Sequence, residues 1–141
     1  MTQHYQADGV SFDYPDDWQL DREESADGWT VLLQSPGTAF LTLTCEPSDA
    51  TTEEMVAAAL DALKAEYPTL EAQPKIDTLA GQMAIGYDMQ FFSLDLTNTC
   101  WTRSIYGPEG VLLLLCQCND LELEQYEPVL RAICASLTVE E

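Results

Sequence analysis

The segment Val111-Leu112-Leu113-Leu114-Leu115-Cys116-Gln117-Cys118 limits the fold more than any other part of the chain. It is strand length, far short of the roughly 20 apolar residues that cross a bilayer. It is apolar on both of its alternating faces, so it reads as a central strand with cover on each side. The surrounding sequence has to supply two layers.

The rest of the chain offers strands and two helices. Val10, Phe12 and Tyr14 alternate with Ser11 and Asp13 as an extended segment. Pro15 ends it, and Trp18 re-enters as an anchor after two aspartates. A short strand is expected at Gln19 and Leu20, then a polar loop from Asp21 to Gly28. Residues 29–34 and 39–46 read as a hairpin about Pro36-Gly37. Pro47-Ser48-Asp49 breaks the second strand. Thr51 with Glu54 is a capping-box signature, and Val56, Leu60, Leu63 and Tyr67 form an apolar stripe that ends at Pro68. Strands follow at 75–79, 82–94, 99–106 and 111–118, with turns at Ala80-Gly81, 95–98 and 107–110. The last helix carries Tyr126, Val129, Leu130, Ile133, Cys134 and Leu137. Pro128 suits only a first turn, so that helix is expected to start within 124–127.

With 141 residues and no internal repeat or linker, the chain is one domain, residues 1–141. The expected fold class is α+β. It is an α/β/α sandwich: one mostly antiparallel sheet of about six strands with a helix on each face.

The Tyr14-Pro15 to Trp18 opening, the helix after the first hairpin, the glycine turn before a three-strand meander, and a final helix ending in Ala135-Ser136-Leu137 together resemble the PsbP-like/Mog-type superfamily. Its bacterial members include DcrB-like proteins and secretion-effector chaperones. The resemblance implies the same sandwich and a largely non-enzymatic role. Mog-type members bind a Ran-type GTPase, and the related chaperones shield apolar helices of effectors. No sharp functional motif matches, so no binding residue carries over.

Five lysines and arginines stand against 25 acids, a net charge of −20. Such a field repels nucleic acid and anionic membrane, and it favours a basic protein partner. Solubility alone would also account for it. Residues 1–8 have no basic region and no apolar stretch, so no secretory signal is visible and the expected location is cytoplasmic. Oligomeric state is not legible.

Catalysis finds little footing. There is no nucleophile motif, P-loop or dinucleotide fingerprint, and the one histidine, His4, falls in a stretch expected to fray. No catalytic residue and no cofactor is assigned, and the chain is not expected to be an enzyme. Residues 21–28 alternate oxygen ligands like a calcium loop, but Ala26 stands where an EF-hand needs glycine.

Two groups remain. Met89, Phe91, Phe92 and Trp101 fall near the hairpin of the two longest strands, where long strands can outrun their helix and leave a groove; Trp29 could join them. Ordinary core packing is the plain alternative. These five are the candidate partner-binding residues. Cys116 and Cys118 share a strand face, and Cys134 lies on the stripe of the last helix. Three thiols could then meet as a soft-metal or redox site, or serve as small buried hydrophobes. The leading function is an acidic interaction module, adaptor or chaperone-like. The alternatives are a carrier of a small hydrophobic ligand or lipid, with its pocket between sheet and helix, and a thiol metal or redox site.

Overall fold

A computed structural model describes residues 2–26, 28–46 and 49–140. Strands β1 (Thr2–Ala7), β2 (Val10–Pro15), β3 (Gln19–Ser25), β4 (Gly28–Gln34) and β5 (Phe40–Glu46) precede α1 (Thr52–Glu66). Then come β6 (Glu71–Leu79), β7 (Gln82–Ser93), β8 (Leu96–Tyr106), β9 (Val111–Asn119), α2 (Leu123–Ser136) and β10 (Thr138–Val139).

The chain is mostly β. A seven-stranded antiparallel sheet runs β3-β4-β5-β9-β8-β7-β6, and a separate three-stranded sheet runs β1-β2-β10. The expected α/β/α sandwich around about six strands is therefore wrong. The strand content was underestimated because polar edge strands lack an apolar alternation. Residues 21–25, expected as loop, continue β3 and pair with β4 in register, Arg22 opposite Val31 and Glu24 opposite Trp29. The N-terminal stretch does not fray. It is β1, with His4 opposite Asp13 and its Nδ1 2.7 Å from the Asp13 carboxylate. The strand expected at 75–79 starts at Glu71. Asp27 and the break at Pro47-Ser48 lie outside the described residues.

The run at 111–118 is β9, set between β5 and β8. Leu112, Leu114, Cys116 and Cys118 face one side, with Leu41, Leu43 and Cys45 of β5 in register beside them. That side packs on β2 and α2, in a core that includes Phe12, Val31, Leu33, Leu130 and Ile133. The opposite side meets α1 in a smaller core of Leu60, Leu70, Met89, Phe91 and Cys100, with Leu115 against it.

The helix signals carry through in part. Thr51 caps α1 with a full capping box, its hydroxyl accepting from Glu54 N at 3.1 Å. Helix α2 starts earlier than expected, and Pro128 sits in its second turn. Burial of Tyr126, Leu130 and Ile133 outweighs the one backbone bond that proline forgoes. Trp18 braces this helix edge-on against Tyr126, with ring centroids 6.0 Å apart. No described helix is long and apolar enough to cross a membrane.

Candidate functional site

Strands β7 and β8 pair from Ile85↔Ser104 out to Ser93↔Leu96. The turn is therefore two residues, Leu94-Asp95, rather than the four expected at 95–98. Its φ values are 53° and 62°. A two-residue hairpin turn of this kind needs positive φ at both positions, which favours Asn-Gly. The neighbouring β6–β7 turn, Ala80-Gly81, supplies one such glycine. At Leu94 a leucine holds the left-handed conformation, at a cost of about 1–2 kcal/mol. Its side chain is 93% exposed, so it fills no core.

Two more large apolar side chains stand at this tip. Phe92 is 59% exposed, and Leu121, in the β9–α2 connection, is 80% exposed. The connection is fastened there because Asp120 N donates to Thr97 O at 2.9 Å, and Thr97 is opposite Phe92 in the ladder. Thr99 Oγ1 also donates to the Asp120 carboxylate at 2.7 Å. Asp95, Asp120, Glu122 and Glu124 bring carboxylates to the same end of the molecule. Glu122 accepts from Thr38 Oγ1 at 2.6 Å and Thr38 N at 2.7 Å, and these bonds hold its carboxyl below the usual range.

The five aromatic and methionine candidates do not form one patch. Met89 and Phe91 lie beneath α1, with Phe91 stacked on Tyr67 at 4.1 Å between centroids. Trp101 faces the other side of the sheet, under the Arg131 guanidinium at 4.4 Å. Trp29 is buried under Arg22, 4.8 Å from its ring centroid. Only Phe92 is exposed, because strand alternation turns it away from Phe91's face. Leu94 and Leu121 were missed. Their signal is a large apolar residue in a turn where no core can reach it. A second exposed group, Ile76, Met83 and Tyr106, belongs to the other end of β6, β7 and β8.

The three thiols do not converge either. Cys116 and Cys134 come within 3.8 Å, sulfur to sulfur. Cys118, two residues and about 6–7 Å further along β9, donates instead to Asn119 O at 3.2 Å. Among the described residues no three or more His, Cys, Asp or Glu side chains are placed to hold a metal ion.

Beside α2, the sheet surface holds a buried cation. Arg103 is 4% exposed and donates to Asp77 at 2.6 Å, Asp88 at 2.8 Å and Thr102 O at 2.7 Å. Gly86 stands opposite Arg103 in the ladder, and a Cβ there would lie 1.7 Å from Thr102 O. Arg103 and Arg131 border an open cleft of about 600 Å³ with Trp101, Leu79 and Cys134. The interior between Phe12, Leu43, Leu114 and Ile133 leaves only about 10 Å³. That is room for a single water, whereas the wider space between sheet and helix is the open cleft beside Arg103 and Arg131.

Neither a protein-family model nor a curated protein matches the sequence. Solved structures do match over nearly the whole chain. A Pseudomonas aeruginosa protein of unknown function is 18% identical with a TM-score of 0.65, covering 99% of this chain and 98% of that one. Cyanobacterial PsbP from Synechocystis sp. PCC 6803 is 12% identical with a TM-score of 0.69, covering 98% and 92%. LpqN of Mycobacterium tuberculosis, involved in cell envelope biogenesis, is 18% identical with a TM-score of 0.58, covering 100% and 90%. At these identities the likeness is one of fold: the chain shares the fold of cyanobacterial PsbP and of these other structures.

Proposed function

We propose that this chain is a non-enzymatic interaction module that docks a basic protein segment on its β7–β8 hairpin tip. The observation that carries this reading is Leu94, held at φ 53° and 93% exposed. A leucine there helps neither the turn nor the core, and strain kept without structural return points to a functional surface. Phe92 and Leu121 extend the apolar contact, and Asp95 in the turn and Asp120, fastened to Thr97 and Thr99, bring carboxylates beside it.

Charge selects the partner. Of the five cations, Arg22 is tied to Asp8 and Glu24, and Arg103 to Asp77 and Asp88. The acidic excess is therefore left for solvent and partners. Lysines and arginines flanking an apolar anchor fit it, and the long-range field speeds their encounter. The likeness in fold to cyanobacterial PsbP and LpqN is in keeping with a binding role.

Affinity capture with wild type and with a Phe92→Ser/Leu94→Ser double variant tests this. The expected result is a basic protein held by wild type, lost from the variant, and released as salt rises. Equal retention by both overturns the assignment of the tip.

A further inference from the structure

Cys134 of α2 lines the open cleft between that helix and β8. Behind it, wholly buried on β9, lies Cys116, with its sulfur 3.8 Å from that of Cys134. We propose that Cys134 is a peroxide-reactive thiol and that Cys116 resolves it, closing a disulfide that ties α2 to β9. This site is separate from the hairpin tip and does not depend on it.

Access distinguishes the two sulfurs. Cys134 is half-buried and lines the cleft, open to a small oxidant, whereas Cys116 is fully buried and does not line it. The surroundings distinguish them again. Two of the five cations border this cleft: Arg131, three residues before Cys134 on the same helix, and Arg103. The hydrogen bond from Cys116 holds the Cys134 thiol below its ordinary value, and the charges of Arg131 and Arg103 add to it. Burial pushes Cys116 the other way. Burial likewise raises Cys45, Cys118 and Cys100, the last to about 12. A thiolate beside arginines is the setting in which cysteine reacts.

The chemistry balances with a hydroperoxide as oxidant. The Cys134 thiolate attacks one peroxide oxygen, the O–O bond breaks, and the leaving oxygen takes a proton. Cys134 is now a sulfenic acid. The Cys116 sulfur then attacks Cys134 Sγ, the S–O bond breaks, and hydroxide leaves as water with the Cys116 proton. With hydrogen peroxide, two thiols become one disulfide and the oxidant becomes two waters. Bond formation needs the sulfurs about 2 Å apart, so they must close by about 1.8 Å. A small dithiol restores the pair by exchange.

The test treats the reduced full chain with an equivalent of hydrogen peroxide near neutral pH, alkylates the remaining thiols, and maps the peptides by mass. The expected product has lost two hydrogens and carries one linkage, Cys116 to Cys134. Before oxidation, Cys134 alkylates about tenfold faster than the other four thiols. Cys116→Ala stops at a Cys134 sulfenic acid that dimedone traps, and Cys134→Ala consumes peroxide about tenfold more slowly. Linkage between other cysteines, or oxidation spread over several cysteines and methionines, overturns the proposal. So does a Cys116→Ala protein that folds and gives no dimedone adduct. The wild-type linkage map needs no variant and decides the matter if either substitution prevents folding.

Discussion

Phe91 and Phe92 are adjacent in the chain and face opposite sides of the large sheet. Phe91 is 3% exposed and stacked on Tyr67, while Phe92 is 59% exposed at the hairpin tip. Phe91→Ala should destabilise the protein by about 3–5 kcal/mol through the cavity it leaves under α1. Phe92→Ala should change stability by less than about 0.5 kcal/mol. Denaturant unfolding of the two variants checks this, and similar losses would mean that Phe92 is packed.

Leu94→Asn relieves the left-handed leucine, because asparagine tolerates that conformation. It should raise stability by about 1 kcal/mol. The same change removes an apolar contact, so partner binding should weaken as stability rises. A thermal melt read beside a binding isotherm shows whether the two effects diverge. A variant that is both more stable and equally bound removes Leu94 from the interface.

Gly86→Ala places a methyl against the β8 backbone, where Thr102 O would be 1.7 Å away. Backbone cannot step aside as a side chain can, so the loss should reach or exceed about 3 kcal/mol. The strain falls beside the Arg103 pairs with Asp77 and Asp88. Amide exchange should accelerate first across β6 and β7. An unchanged unfolding midpoint would mean that the two strands separate freely at this point.

Glu122 links the β9–α2 connection to Thr38, between β4 and β5, and those hydrogen bonds lower its pKa in the folded state. A depressed folded pKa gives stability that is present above the unfolded value and lost as pH falls through the folded one. Glu122→Gln should therefore lower stability near neutrality and flatten its decline below the ordinary glutamate range. Denaturant midpoints from neutral to acid pH measure this. Parallel curves for the two proteins would show that the Thr38 bonds are not linked to protonation.

What the sequence disclosed follows from where apolar residues repeat. The run at 111–118 announced a strand covered on both sides, and Thr51 with Glu54 announced the start of α1. The edges were hidden. Residues 21–25 and 2–7 are polar because they border a sheet, and their strand character comes from β4 and β2, partners that no local pattern names. The turn at Leu94-Asp95 was displaced because neither residue is the glycine or asparagine that usually marks it. The aromatic candidates fell near the right hairpin but on the wrong side chains. Alternation divided them between two faces, and only Phe92 was left at the surface. Of the cysteines, spacing placed Cys116 and Cys118 on one face. The approach of Cys134 depended on how α2 lies across β9.

Docking of a partner at the hairpin tip is the proposal on which the functional reading stands. A photo-crosslinking residue placed at position 94, and separately at position 83 in the other exposed apolar group, tests it most directly. One dominant, basic adduct is expected from position 94, absent from position 83 and diminished by salt. The same adduct from position 83, or none from position 94 while wild type still captures its partner, would contradict it.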